Sequence, residues 1–111
     1  MVVLTNAAEG REDEFNEWYD NTHINEILAI PGMESGQRFR LPGEPGPNQP
    51  YRYLTIYEIE TDDLDAVWAR LADPSGRVRS DSVDLTGTAL WIFEEIGEKR
   101  WSSEPVRTRN R

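Results

Sequence analysis

A chain of 111 residues with no cysteine, and with 21 acidic against 12 basic residues for a net charge of −9, can bury one core and has no disulfide or thiolate chemistry. That charge opposes nucleic acid. No apolar run nears the roughly 20 residues of a membrane helix, and Met1-Val2-Val3-Leu4 lacks the basic flank of a leader, so the expectation is a soluble cytoplasmic protein that binds neither nucleic acid nor membrane.

Met1 to Thr5 reads as a buried strand that leaves through Asn6 to Gly10. Phe15, Trp18, Tyr19 and Thr22 then fall at helical spacing, behind Glu12, Asp13, Glu14 and Glu17, whose charges suit a helix N-terminus. The apolar pattern runs on through Ile24, Ile27 and Leu28 to Pro31-Gly32, which places His23 at or just past a helix end. Met33 to Leu41 alternates, with Met33, Ser35, Gln37, Phe39 and Leu41 expected on one face and Glu34, Arg38 and Arg40 on the other. Tyr51 to Ile59 does likewise, and the proline- and glycine-rich stretch Pro42 to Pro50 makes the pair a hairpin with a long loop. Antiparallel pairing would then gather Phe39, Tyr53, Gln37, Thr55 and Tyr57 on one face.

A second helix is expected over Leu64, Val67, Trp68 and Leu71, capped by Asp62 or Thr61 and ended by Asp73-Pro74-Ser75-Gly76. After a polar connector, Ala89 to Ile96 forms a final strand, apolar on both faces and so expected to be central or covered. Residues 102–111 read as a disordered or peripheral tail to one domain spanning 1–101. The basic clusters at Arg77 to Arg79 and at Arg107, Arg109 and Arg111 read as solvated surface. Strand, helix, strand, strand, helix, strand is the βαββαβ order of ferredoxin-like α+β folds, a four-stranded antiparallel sheet with two helices on one face. One sheet face is left bare, and a homodimer joined sheet to sheet would cover it.

Phe15-x-x-Trp18-Tyr19-Asp20-x-x-His23, Ile30-Pro31-Gly32 before Arg38-Phe39-Arg40-Leu41, and Tyr53-Leu54-x-x-Tyr57-Glu58 together resemble the EthD-like family of the dimeric α/β-barrel superfamily, over about residues 1 to 98. The resemblance implies a dimeric α/β barrel with a pocket between helices and sheet in each protomer. Relatives of this fold include monooxygenases, isomerases, cyclases, lyases and haem enzymes, so it says little about the reaction. Family members often carry proline two positions after the histidine, where this chain has Asn25, a hydrogen-bonding group expected beside the imidazole.

His23 is the chain's one histidine, and histidine titrates near neutrality without perturbation. One reading makes it a general acid or base, oriented by Asp20 or a backbone carbonyl and assisted by the phenol of Tyr57, Tyr19 or Tyr53. The other makes it a helix-end residue bonded to backbone. Tyr19, Asn25, Gln37, Phe39, Tyr53 and Trp18 are the candidate substrate contacts, although Phe15 and Trp18 also read as core. Arg38, Arg40 and Arg52 read more readily as partners of Glu34 or Glu58, across strands or across a dimer, than as a carboxylate site. With no phosphate loop, nucleophile elbow or histidine pair, no cofactor and no metal are expected; a haem on His23 would find few cations for its propionates. The leading expectation is a small cofactor-independent lyase, isomerase or cyclase acting on a carbonyl-containing aromatic or polyketide-like molecule. The alternatives are a monooxygenase of phenols and a non-catalytic metabolite-binding or accessory dimer.

Overall fold

The computed structural model describes residues 1–103. The expected tail lies largely outside the described residues, as do Arg107, Arg109 and Arg111. Strands β1 (Val2–Thr5), β2 (Met33–Arg40), β3 (Tyr53–Ile59) and β4 (Ala89–Trp91) form one antiparallel sheet in the order β2-β3-β1-β4. Helices α1 (Glu12–Trp18), α2 (Ile24–Leu28) and α3 (Leu64–Ala72) follow β1 and β3. This is the ferredoxin-like α+β arrangement. Among the described residues no helix is long and apolar enough to cross a membrane.

The core lies between the helices and one sheet face. Met1, Val3 from β1, Tyr57 from β3, Ile27 from α2 and Val67 from α3 are all buried against one another. Phe15, Tyr19 and Tyr53 form a second cluster beside it. Asp63, rather than Asp62 or Thr61, caps α3, its carboxylate accepting from the Ala66 N–H at 3.1 Å. Thr61 is engaged one step earlier, its hydroxyl accepting from the Asp63 N–H.

Helix α1 does not end at His23. A π-turn over Tyr19–His23 joins α1 directly to α2, with Ile24 N–H donating to the Tyr19 carbonyl five residues back and right-handed helical backbone at Trp18, His23 and Ile24. The wider turn changes which side chains meet. In a regular α-helix a residue five positions on lies about 140° around the axis, whereas here Trp18 and His23 stack with ring centroids 4.6 Å apart.

Strand β2 corrects the expected faces. A register shift between Met33 and Ser35 brings Gly36 opposite Tyr57, Arg38 opposite Thr55 and Arg40 opposite Tyr53. One extra residue in a strand reverses the parity of everything beyond it. Gln37 and Phe39 therefore lie on the outer face, opposite Ile56 and Leu54, and Arg38 lies on the helix side with Tyr53 and Tyr57, two of the residues it was expected to oppose. Gly36 is required here: a β-carbon would stand 2.9 Å from the Tyr57 ring.

β4 is an edge strand and stops at Trp91, short of the expected Ile96. It runs antiparallel to β1 with Trp91 opposite Val2, so the residues beyond find only Met1 alongside. The outer face of the sheet carries two cross-strand rows, Phe39-Leu54-Leu4-Ala89 and Gln37-Ile56-Val2-Trp91. Phe39, Ile56 and Trp91 there are 40%, 38% and 50% exposed.

Candidate functional site

A cavity of about 410 Å³ opens between the helix-side face of the sheet, the helical segment 12–28, α3 and the connector that follows α3. That size falls within the usual range for small-molecule sites. Its apolar wall includes Met1, Val3, Phe15, Ile27, Trp68 and Leu71, and its polar or aromatic contributors include Trp18, Tyr19, His23, Tyr57, Arg77 and Ser80.

The π-turn builds one side of this cavity. It stacks His23 on Trp18 and sets Tyr19 edge-on to the imidazole at 4.9 Å. The His23 side chain keeps 24% of its surface open, while its Nδ1 is buried without a hydrogen-bond partner among the described residues. The nearest carboxylate is Glu26, with Oε1 3.9 Å from Nδ1 and likewise buried and unpartnered. Burial holds the His23 pKa down at about 4; Glu26 opposes this, and Arg77 and Arg38 add to it. At neutral pH the ring is therefore an uncharged imidazole.

Between the π-turn and the sheet, the hydroxyls of Tyr19 and Tyr57 lie 3.2 Å apart. Burial first, and then Tyr19, push the Tyr57 phenol well above the usual tyrosine range. It remains protonated. Two hydroxyls sharing one hydrogen bond leave one O–H free to donate elsewhere.

The other expected residues divide between this cavity and two further places. Asp20 belongs to a separate cluster: it accepts from Arg38 Nη1 at 2.9 Å, and Arg38 Nη2 donates to Asn16 Oδ1 at 2.9 Å. The Arg38 guanidinium also lies 4.4 Å from the centre of the Tyr19 ring, and its acid is Asp20 rather than the expected Glu34 or Glu58. Tyr53 joins the same cluster, donating to Glu12 Oε2 at 2.8 Å and accepting from Asn16. Asn25 points away from the imidazole, as residues two apart on a helix do, and is exposed with its amide donating to the Asn21 carbonyl. Gln37 and Phe39 lie on the outer sheet face and are absent from the cavity wall.

Sequence reasoning missed Glu26 and the connector. The segment after α3, read as polar surface, is tied across the cavity mouth. Val78 N–H donates to Glu26 Oε2 at 2.7 Å, and Trp18 Nε1 donates back to the Val78 carbonyl at 3.1 Å. Ala8 N–H donates to Ser82 O, and Asp84 N–H to Asn6 O. Arg77 is no free surface cation, because its Nη2 donates to the Leu71 carbonyl at 2.7 Å and also to those of Arg70 and Asp73. The available signal was Glu26 itself, one helical turn after the only histidine. Among the described residues, no group of three or more His, Cys, Asp or Glu is placed to hold a metal ion.

No protein-family model and no curated protein sequence matches the chain. Among solved structures it is similar to the crystal structure of an ethyl tert-butyl ether D (EthD) family protein from Bacillus halodurans, with a TM-score of 0.52 and 20% identity, over 86% of this chain and 96% of that one. At that identity the likeness is one of architecture: this chain has the ferredoxin-like α+β fold of that EthD family protein.

Proposed function

We propose that the protein is a small EthD-like enzyme, a cofactor-independent lyase, isomerase or cyclase, that moves a proton on a carbonyl-containing aromatic or polyketide-like molecule with His23 as acid and base. The observation that carries this reading is that His23 and the Tyr19–Tyr57 hydroxyl pair border the same apolar cavity of about 410 Å³. A neutral imidazole can accept a proton from carbon next to a carbonyl. The enolate oxygen so formed takes a hydrogen bond from the remaining tyrosine O–H, and its negative charge favours the imidazolium that burial alone disfavours. The proton then returns to a different atom of the product, with no cofactor in the cycle. One positioned acid–base group accounts for about 10²- to 10⁴-fold in rate, enough for an easy enolisation, cyclisation or isomerisation.

The working unit in this proposal is a homodimer. The outer-face rows Phe39-Leu54-Leu4-Ala89 and Gln37-Ile56-Val2-Trp91, with Phe39, Ile56 and Trp91 exposed, support it, since apolar sheet faces of this kind are covered by partners.

The test screens phenols, lactones and quinones for thermal stabilisation, where a ligand at 100 times its Kd adds about 2.7 kcal/mol, and then assays turnover of the binders. His23→Ala should fold and bind but lose turnover. A binder converted at the same rate by His23→Ala and by the native protein would refute the assignment.

A further inference from the structure

We propose that the cavity takes an apolar, ring-sized molecule bearing a carboxylate, and that Arg77 is the residue that selects it. The inference rests on the reading of this cavity as the binding site and adds the class of ligand. In a chain of net charge −9, the charged side chains of the cavity wall are Arg77 and Arg79, and neither Asp nor Glu lines it. A low-dielectric wall with cations of one sign concentrates anions against the overall charge of the protein. Arg77 is already fixed in place, since its Nη2 donates to the carbonyls that end α3. Among the described residues its Nε and Nη1 donate to nothing, and it forms no ion pair. An immobilised guanidinium with unused N–H groups is preorganised for a carboxylate, which accepts two parallel hydrogen bonds. Trp18 and Trp68 in the same wall supply aromatic surface for a ring.

The test is titration calorimetry of the full chain at pH 7.5 with 2-naphthoate, 2-naphthamide and 2-naphthyl phosphate. The acid should bind about tenfold more tightly than the amide, one charge-assisted contact being worth that much. Arg77→Gln should abolish this preference, while Asp20→Asn, at a residue outside the cavity wall, should keep it. Equal affinity for acid and amide in the native protein overturns the proposal and leaves the proposed reaction standing. Tighter binding of the phosphate overturns the choice of carboxylate. If none of the three binds, the reading of the cavity as a binding site falls as well.

An independent observation supports a second assignment: we infer that Glu26 is the positioning residue of His23, holding the neutral imidazole as its Nδ1–H tautomer and leaving Nε2 as the basic nitrogen. Nδ1 and Glu26 Oε1 are both buried, both unpartnered among the described residues, and 3.9 Å apart. A proton on Nδ1 directed at Oε1 is drawn toward the carboxylate, whereas a lone pair there would be repelled by it. The carboxylate is itself held, because its Oε2 accepts from Val78 N–H, and the Val78 carbonyl accepts from the Trp18 ring that stacks on His23. Since the chain has one histidine, its imidazole nitrogens give an unambiguous 15N NMR spectrum. The expected spectrum shows protonated-type Nδ1 and pyridine-type Nε2 at pH 7. Glu26→Ala should shift the population toward Nε2–H, and Asp20→Asn should not. A native spectrum already dominated by Nε2–H overturns the assignment, and decides it even if Glu26→Ala fails to fold.

Discussion

Two polar clusters meet at Tyr19 on the helical segment 12–28, and they are completed to different degrees. Around Arg38, Nη1 goes to Asp20, Nη2 to Asn16, the Asn16 amide to Tyr53 and the Tyr53 hydroxyl to Glu12, with Nε alone lacking a partner. Around His23, Nδ1 and Glu26 Oε1 face each other without a hydrogen bond, and a cavity borders the ring. Buried polar groups are nearly always paired, so a saturated network reads as a fastening and an unsaturated one beside a cavity reads as chemistry. Both clusters use a cation or potential cation against aromatic rings, and only the bonding left over tells them apart.

The sharpest way to break this comparison is His23→Ala. On the proposed reaction it lowers kcat by about 10²- to 10⁴-fold with the fold retained, as checked by circular dichroism alongside the assay; an equal loss of activity from Asp20→Asn would erase the distinction. Next in size is acid sensitivity. Because burial lowers the His23 pKa from 6.5 to about 4, the unfolded chain takes up a proton there before the folded one does. The contribution of His23 to stability is intact above about pH 6.5 and falls, by on the order of 3 kcal/mol in total, as the pH drops to about 4. Urea unfolding of native and His23→Gln proteins at several pH values isolates this term from the carboxylates, and parallel curves would refute it.

Arg38→Met tests the other cluster. It removes two charge-assisted hydrogen bonds and a cation stacked over Tyr19, and should cost about 2 kcal/mol by denaturant midpoint. Tyr57→Phe should cost about 1 kcal/mol, the net value of one hydrogen bond, yet lower turnover if the hydroxyl pair serves the enolate. The smallest effect is expected from Asp20→Asn. Its side chain is 59% exposed, so less than about 1 kcal/mol should be lost. A larger loss would move Asp20 out of the merely fastening role.

Much of the fold was legible from local pattern. The valine-rich start of β1, the apolar spacing of Leu64, Val67, Trp68 and Leu71, and the turn residues between β2 and β3 each report on neighbours in the chain, and local spacing is what such patterns encode. The faces of β2 were not legible, because Met33 to Leu41 alternates equally well in either register and the shift at Met33 and Ser35 is settled by pairing with β3. That single shift displaced Gln37 and Phe39 from the expected site and brought Arg38 under Tyr19. The extent of β4 was hidden for a similar reason: Ile92 to Ile96 looks like strand, but pairing depends on what β1 offers opposite it. In the site, His23 and Tyr57 were visible as chemistry-bearing residue types. Glu26 was not singled out because an ordinary acidic residue on a helix gains meaning only when Val78 and the connector are laid against it.

By itself the sequence determined the order of elements, the absence of thiol chemistry, the acidic charge and the presence of one histidine inside an aromatic helical stretch, because all of these are properties of composition and of spacing along one chain. Tertiary structure alone decided that His23 sits in a π-turn and is neutral, that its carboxylate neighbour is Glu26 while Asp20 belongs to Arg38, and that a connector with a fixed arginine walls the cavity. Those outcomes depend on strand register, helical phase and burial, and each is set by contacts between residues far apart in the chain.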